Sequence, residues 1–158
     1  MEQIPRHVQR ILQRLEAHGH GAWCVGGSVR DLLMGRTPQD WDVATSARPE
    51  EVERLFAPGA VGTGLAHGTV TVTVDGGRAE VTTLRRDGDY QDFRHPDHVT
   101  FTDSLEEDLS RRDFTVNAMA MDLTGTIHDP FGGQEDLQYE LLRCVGDPDK
   151  RLTEDALR

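Results

Sequence analysis

A strict alternation of valine and threonine that ends in a tight turn constrains the fold of this chain more than any other feature. Val70, Val72 and Val74 alternate with threonines, which gives an extended strand one apolar and one polar face. Residues 75–77 then read Asp-Gly-Gly, and an extended pattern returns at residues 79–84. Asp-Gly favours the turn that joins two antiparallel strands. This segment therefore predicts a β-hairpin.

Helical and strand patterns alternate along the rest of the chain. Apolar residues at helical spacing predict helices that cover residues 4–15 and begin near Ser28, Pro49, Ser104 and Thr153. Short strands are predicted at residues 22–25, 41–45 and about 119–123, and a long polar loop at residues 85–98. This order, with a βαβ-like start, predicts a mixed α/β (α+β) domain.

Length and charge limit the classes of function. At 158 residues the chain has the size of one domain, and it contains no run of about 18 apolar residues that could cross a membrane. Its 28 acidic and 17 basic residues give a net charge of −11. A free-standing nucleic-acid binder is usually basic, so we expect any nucleic acid to be bound at a local site or by other segments.

Cys24 and Cys144 form no CxxC pair and the N-terminus lacks a signal-peptide pattern, which favours a reducing cytoplasm.

Two carboxylates, Asp40 and Asp42, flank Trp41 at the start of a predicted strand. Residues i and i+2 of a strand point to the same face, so the two acids repel each other unless a cation lies between them. Mg²⁺ takes carboxylate oxygens at about 2.1 Å and bridges to substrate phosphates. For a bare Asp-x-Asp, two solvated acids at a strand start are the commoner explanation.

A glycine-rich turn precedes this acidic pair. Gly26-Gly27-Ser28 lies between a predicted strand and a helix that Ser28 would cap, where backbone N–H groups and the helix N-terminus can hold a triphosphate. Spaced this closely, the turn and the acids indicate nucleotidyl transfer. Glu80 in the returning hairpin strand would complete a two-metal site if that strand lies beside Asp42. An exposed strand glutamate is the alternative.

Four blocks of sequence resemble the motifs of the class II tRNA nucleotidyltransferases and bacterial poly(A) polymerases. They are Gly-Gly-Ser-Val-Arg-Asp-Leu-Leu-Met-Gly at residues 26–35 with Asp40-Trp41-Asp42, Arg-Arg-Asp-Phe-Thr-Val-Asn-Ala-Met-Ala at 111–120, Asp-Pro-Phe-Gly-Gly at 129–133 with Asp136-Leu137, and Glu-Asp-Ala-Leu-Arg at 154–158. The blocks follow the family's order and cover most of the chain from Cys24 onward. The resemblance implies a nucleotidyltransferase (polymerase beta-like) fold, with a small mixed sheet flanked by helices.

The resemblance also implies a role for each matching residue. Asp40 and Asp42 would hold the catalytic Mg²⁺ ions. The nucleotide would be bound by Gly27, Ser28 and Arg30 at the triphosphate, by Arg112 and Arg111 as phosphate-neutralising cations, and by Asp113 and Asn117 at the ribose or as braces. Without the other blocks, Arg-Arg-Asp at residues 111–113 would be only a charged helix start.

Asp155 and Arg158 lie three positions apart, which makes them neighbours on one helix face. The family resemblance implies that such a pair selects the nucleotide. A carboxylate accepts from the exocyclic amine of cytosine or adenine, and a guanidinium donates to the ring acceptors beside it. CTP and ATP would then be selected without a template. A surface ion pair worth at most about 0.5 kcal/mol is the alternative.

Family enzymes continue past this helix into neck, body and tail domains that carry much of the tRNA binding. We therefore expect residues 1–150 to form the catalytic head and residues 151–158 to be the truncated start of a neck helix. The expected reaction is CCA addition to the 3′ end of tRNA. A dedicated A-adding enzyme and a poly(A) polymerase stay open, because the long loop at residues 85–101 argues only against CC addition. A nucleotide-binding head without turnover is the alternative of another class, although Asp40, Asp42 and Glu80 are all present.

Overall fold

The computed structural model describes residues 4–64, 67–86 and 100–146. Within these ranges the helices are α1 (Arg6–Ala17), α2 (Gly27–Leu33), α3 (Pro49–Phe56), α4 (Leu105–Ser110) and α5 (Gly133–Gln138). The strands are β1 (Ala22–Val25), β2 (Asp42–Thr45), β3 (Ala60–Gly64), β4 (Thr69–Val74), β5 (Gly77–Thr83), β6 (Arg85–Arg86), β7 (Thr100–Phe101), β8 (Ala120–Met121) and β9 (Ile127–His128). A turn of 3-10 helix, Thr115–Asn117, lies between α4 and β8.

A mixed sheet with the strand order β3-β4-β5-β2-β1-β8-β9 forms the centre of the fold. β4 and β5 are antiparallel neighbours joined at Asp75 and Gly76, whose φ angles of 52° and 79° allow the tight turn. The predicted hairpin is therefore confirmed. The predicted βαβ-like start is wrong, because β1 and β2 pair antiparallel: after α2 the chain returns along β1 instead of crossing over. The parallel neighbour of β2 is β5.

The side chains of the sheet alternate between two faces, and each face has its own apolar core. On one face, Cys24 and Val43 belong to a cluster closed by buried residues of α1 and α3. On the other face, Val25 and Ala44 pack in a cluster with Leu109 of α4. The division follows from the two-residue period of a strand. Polar residues at the strand ends of the α4 face are thus kept apart from the larger core.

Most predicted elements are present, and the differences are local. α2 begins at Gly27 with Gly26 as its N-cap, so the prediction that Ser28 caps this helix is wrong. β3, β9 and α5 have no counterpart in the sequence prediction, because elements of two to six residues are too short to show a clear periodicity. The predicted loop at residues 85–98 is wrong at its first two residues, which form β6. Residues 87–98 and the predicted helix near Thr153 lie outside the described residues.

The fold bears on two points from the sequence, the chemistry of Cys24 and the absence of a long apolar run. Cys24 is fully buried on β1, and burial raises the pKa of its thiol to about 12. The thiol is therefore protonated at neutral pH and is a core residue rather than a nucleophile. Among the described residues, no helix combines the length and the apolar character that crossing a membrane requires.

The packing of α1 can be tested by comparing two adjacent positions. Leu12 is fully buried, whereas Gln13 is exposed. We expect Leu12→Ala to lower the free energy of unfolding by about 2–5 kcal/mol, because it removes buried methyl groups and leaves a cavity. Gln13→Ala should change it by less than about 0.5 kcal/mol. Urea unfolding followed by tryptophan fluorescence measures both, and equal effects would contradict the docking of α1 on the sheet.

Candidate active site

Two carboxylates lie side by side at one end of the sheet. In the parallel pair of β2 and β5, Asp42 is the direct partner of Glu80. Paired residues of neighbouring strands point to the same face, and Asp42 shares its face with Ala44, which packs in the cluster beneath α4. Both acids therefore project from the α4 face. The condition set for Glu80, that its strand lies beside Asp42, is confirmed.

Asp40 lies just before β2 in the chain and adds another carboxylate next to this pair. Trp41, between the two aspartates, is 5% exposed, while Asp40 and Asp42 are exposed. The N–H of Glu80 donates to the carbonyl of Trp41 at 3.2 Å, which extends the pairing with β5 back to this residue. Thr71 on β4 orients the third acid, since its hydroxyl lies 2.9 Å from both carboxylate oxygens of Glu80.

The pKa of Asp42 is raised above its ordinary value. The largest cause is that neighbouring protein atoms displace water from the carboxylate, although the side chain reaches solvent. The positive charge of Arg112 acts in the opposite direction, and the negative charges of Glu80 and Asp40 raise the pKa further. The protein thus holds these acids together against their mutual repulsion, and Arg112 offsets it only in part.

This donor set fits Mg²⁺. The ion is usually bound by one or two carboxylates and completes its shell with water and substrate phosphates. Asp40, Asp42 and Glu80 supply such carboxylates at one sheet end. Within residues 4–64, 67–86 and 100–146, no three His, Cys, Asp or Glu side chains form a preassembled metal cage.

The glycine turn lies between β1 and α2, next to the acids. Gly26 has a φ of 75° and a ψ of −140°, a conformation that side chains disfavour. A Cβ built on Gly26 would lie 3.8 Å from Nη1 of Arg112, so this turn faces that guanidinium. Ser28 is 4% exposed, and its hydroxyl donates to the carbonyl of Val25 at 3.2 Å. Because the hydroxyl is buried in this bond, a nucleotide contact by Ser28 would use its backbone.

Arg30 of α2 links the first sequence block to the second. Its Nη1 donates to Oδ1 of Asn117 at 3.0 Å, and its Nη2 donates to Oδ1 of Asp31 at 3.3 Å. A Cβ on Gly27 would lie 3.3 Å from Nη2 of Arg30, so a glycine here leaves room for the guanidinium. The resemblance implies that Asn117 contacts the ribose or acts as a brace, and this hydrogen bond corresponds to bracing.

Arg111 and Arg112 follow α4 and share one buried carboxylate, that of Asp108. Oδ1 of Asp108 accepts from Nε of Arg111 at 3.3 Å, and Oδ2 accepts from Nη2 of Arg112 at 3.1 Å. Burial lowers the pKa of Arg111 to about 10, against the raising effect of Asp108, so the guanidinium remains charged at neutral pH. Arg112 also acts on the pKa of Asp42, which places its charge at the carboxylates.

The third sequence block supports the second. Asp129 accepts the N–H of Gly133 at 2.6 Å at the start of α5, and Asp136 within α5 accepts the hydroxyl of Thr115 at 2.5 Å. Gly133 lies against the carbonyl of Thr115, where a Cβ has no room. α5 therefore holds the 3-10 turn that carries Asn117.

The roles of three predicted nucleotide-binding residues remain predictions. The carboxylate of Asp113 accepts the N–H of Phe114 at 2.8 Å, a local bond that leaves its expected role at the ribose a prediction. Asp155 and Arg158 lie outside the described residues.

Comparison with known proteins decides the family. Residues 22–143 match the family described as the poly(A) polymerase head domain. The chain belongs to this family. The matched range holds the three carboxylates, the glycine turn and the arginine pair of the head domain, so the resemblance seen in the sequence is confirmed.

Curated relatives of the head domain are longer proteins. Over 148 residues it is 58% identical to the CCA-adding enzyme of Lactobacillus helveticus and 59% identical to that of Geobacillus kaustophilus. Each alignment covers 94% of this chain but only 37% and 36% of the two relatives. The chain thus spans little more than a third of the length of the curated relatives that it matches.

Solved structures confirm the predicted nucleotidyltransferase fold. The Bacillus stearothermophilus CCA-adding enzyme in complex with CTP matches the head domain with a TM-score of 0.87 and 51% identity, over 96% of this chain and 36% of that chain. A tRNA nucleotidyltransferase complexed with a primer tRNA and an incoming ATP analogue matches with a TM-score of 0.73 and 33% identity, over 92% of this chain and 41% of that chain.

Two residues of the head-domain site, Asp108 and Thr71, are absent from the sequence prediction although each has a signal. Asp108 precedes the arginines by three and four positions, the spacing at which side chains meet on a helix. Thr71 follows from the hairpin register, because counting outward from the two-residue turn at Asp75 and Gly76 pairs it with Glu80.

The repulsion among the acids can be measured with Asp42→Asn, which removes one charge and almost preserves shape. We expect the metal-free head domain to gain about 0.2–1 kcal/mol in free energy of unfolding at pH 7, the range for charges at paired strand positions. Because folding raises the pKa of Asp42, the folded state binds the proton more tightly, and its ionisation destabilises the fold as the pH rises through that pKa. The gain should therefore disappear at acidic pH.

Urea unfolding at several pH values, without metal, tests this. Glu16→Gln, at an exposed position of α1, is the matched control and should change the free energy by less than about 0.5 kcal/mol. A loss of stability in Asp42→Asn at pH 7 would mean that attraction to Arg112 outweighs the repulsion and the desolvation.

Proposed function

We propose that this head domain catalyses template-independent transfer of CMP and AMP from CTP and ATP to the 3′ end of tRNA, as the catalytic part of a CCA-adding enzyme. Its curated relatives carry that name. One matched structure contains CTP, and another contains a primer tRNA with an ATP analogue. Residues 1–150 form the catalytic head and residues 151–158 begin a neck helix, while tRNA is bound mainly by parts of the protein outside this chain.

The acid cluster of Asp40, Asp42 and Glu80 carries this proposal. A head that only bound nucleotide would need the glycine turn, the arginines and one or two carboxylates for Mg²⁺, whereas three carboxylates at one sheet end match a two-metal transfer site. Their proximity is unfavourable, since Glu80 and Asp40 both raise the pKa of Asp42. Carboxylates kept together next to Arg112 fit a site that binds a metal–triphosphate complex and performs phosphoryl chemistry on it.

Each side chain of the site has a part in the transfer. The 3′ hydroxyl of the RNA loses its proton to solvent, and its oxygen forms a bond to the α-phosphorus while the bond from that phosphorus to the oxygen bridging to the β-phosphate breaks and pyrophosphate leaves. Asp40 and Asp42, with Glu80, would hold Mg²⁺, which when bound supplies Lewis-acid stabilisation of the triphosphate and of the attacking hydroxyl. Arg112 and Arg111 neutralise charge on the departing phosphates.

The remaining residues bind and orient the nucleotide. The backbone of Gly27 and Ser28 and the guanidinium of Arg30 meet the triphosphate. Asn117 of the second block holds Arg30 in place through a hydrogen bond of 3.0 Å. Asp113 contacts the ribose or braces the site.

Incorporation of labelled CTP and ATP into tRNA that lacks its 3′ CCA tests the function in the full-length protein that carries this chain. We expect Asp42→Ala to lower the rate by about 100-fold or more, the scale of losing one electrostatic contact to the transition state. Glu16→Gln, at an exposed position of α1, should leave the rate unchanged. Near-normal turnover of Asp42→Ala would overturn the assignment of the site.

The extended product separates CCA addition from its alternatives. Sequencing the tRNA ends distinguishes CCA from a single added A and from a poly(A) tail. The curated names favour CCA, whereas the family as a whole is described by poly(A) polymerase. Nucleotide binding without any extension would identify the head as a binding module that does not turn over.

Nucleotide choice is assigned to Asp155 and Arg158. Each buried polar contact that fits only the right base contributes about 1–3 kcal/mol of discrimination, because the wrong base leaves groups unpaired. We expect Asp155→Ala to reduce the preference for CTP and ATP over UTP and GTP by about tenfold or more. Competition assays with all four triphosphates measure it, with Glu16→Ala as control. An unchanged preference would place selection elsewhere.

Both cysteines of the chain, Cys24 and Cys144, are free thiols. Thiols persist in a reducing compartment. We therefore place the reaction in the cytoplasm.

A further inference from the structure

Asp108 is a buried charge that touches neither the acid cluster nor the glycine turn. It lies on α4 and is 1% exposed. An aspartate is almost never fully buried unless its charge is paired. Three donors meet this carboxylate: the N–H of Arg85 at 3.0 Å and Nε of Arg111 at 3.3 Å on Oδ1, and Nη2 of Arg112 at 3.1 Å on Oδ2. One side chain therefore ties the start of β6 to both arginines.

The short helix α4 is built to hold Asp108 in place. Ser104 caps it, since its hydroxyl accepts the N–H of Glu107 at 3.2 Å. Leu109, next to Asp108, is fully buried in the cluster on the α4 face. Arg111 and Arg112 follow Asp108 at positions i+3 and i+4, the spacing at which side chains lie next to each other on a helix.

Arg112 has bonding capacity that Asp108 does not use. Within the described residues, its Nε is buried and has no hydrogen-bond partner. Its Nη1 faces Gly26, where a Cβ would lie at 3.8 Å, and its charge acts on Asp42. A buried donor without a partner is costly. An anionic ligand that enters between the glycine turn and the acids would meet Nη1, because Nε lies on the guanidinium edge that Nη2 turns towards Asp108.

The two guanidiniums would repel each other without Asp108. Burial is the largest cause that lowers the pKa of Arg111, the charge of Asp108 opposes it, and the charges of Arg85 and Arg112 lower the pKa further. Asp108 thus allows two cations to lie together in a mostly buried place. Counted by themselves, Asp108 and the two arginines that share it carry a net charge of +1, which suits an anionic ligand.

We propose that Asp108 is a positioning residue for the triphosphate, which fixes the guanidinium of Arg112 so that its Nη1, on the side of Gly26, points to the phosphates. Asp108 itself does not touch the nucleotide. Arg111, on the same carboxylate, adds charge beside it. This inference rests on the proposed function, because it requires a nucleoside triphosphate at this site.

A double-mutant cycle on the 158-residue chain tests this positioning role. Binding of CTP with Mg²⁺, without RNA and therefore without turnover, is measured by calorimetry for the unmodified chain, Asp108→Asn, Arg112→Ala and the double variant. We expect Asp108→Asn to raise the Kd for CTP about tenfold, since it weakens a charge-assisted contact that orients Arg112. In the Arg112→Ala background the same change should raise Kd less than about twofold, because there is no guanidinium left to position.

The other results overturn the inference in distinguishable ways. A tenfold effect of Asp108→Asn in both backgrounds would show that it does not act through Arg112. An unchanged Kd with a lowered melting temperature would show a purely structural role. If the unmodified chain binds neither CTP nor ATP, the proposed function fails and the inference fails with it.

Stability is separated from positioning by two further variants. Leu12→Ala destabilises the chain at the opposite face and should leave Kd within about twofold at a temperature where it is folded. If Asp108→Asn does not fold, Asp108→Glu replaces it in the cycle. Asp108→Glu keeps the charge but moves the carboxylate by one methylene, so the same rise in Kd and the same dependence on Arg112 are expected. A Kd for Asp108→Glu equal to that of the unmodified chain would overturn the proposal.

Discussion

The parallel pairing of β2 with β5 is the constraint on which the site depends. It sets Asp42 directly beside Glu80, an arrangement that electrostatics alone disfavours: burial is the largest cause of the raised pKa of Asp42, and the charge of Glu80 raises that pKa further. The register is maintained by burial on the opposite face, where Val43 and Val81 are fully buried. A slip of one residue would turn these valines to the α4 face and the acids into the core. The apolar core thus holds the negative charges together.

A second layer of polar contacts fixes the cations around the acids, and each contact joins segments far apart in the chain. Arg30 meets Asn117, and Thr115, two residues earlier, meets Asp136. Asp108 joins Arg112 to the start of β6. Among the three blocks that the structure describes, none is therefore positioned by its own residues alone. This dependence explains why motifs separated by tens of residues occur together in one head domain.

Local patterns predicted local structure, and pairing between distant segments needed the fold. The valine–threonine alternation and the Asp-Gly turn predicted the hairpin, because strand period and turn geometry are encoded within a few residues. The direction of β1 against β2 was predicted wrongly, since a strand–helix–strand order is compatible with either direction when the connection is short. For the site, the family motifs singled out Asp40, Asp42 and Arg112, whereas Asp108 emerged only from its three donors. A buried carboxylate looks like a surface acid in a sequence as acidic as Glu-Glu-Asp at residues 106–108.

The charge distribution bears on what this head domain can bind. Its net charge of −11 opposes a polyanion, and at physiological salt this repulsion is largely screened beyond about 8–10 Å. The arginines of the site do not form an open basic surface, because Arg30 is bonded to Asp31 and Asn117, and Arg112 to Asp108. Such paired guanidiniums suit a small ligand that inserts between them and brings its own metal charge. On the proposed function, the head then has to accept only the 3′ end of the tRNA, and the affinity for the rest of the RNA has to come from other parts of the protein.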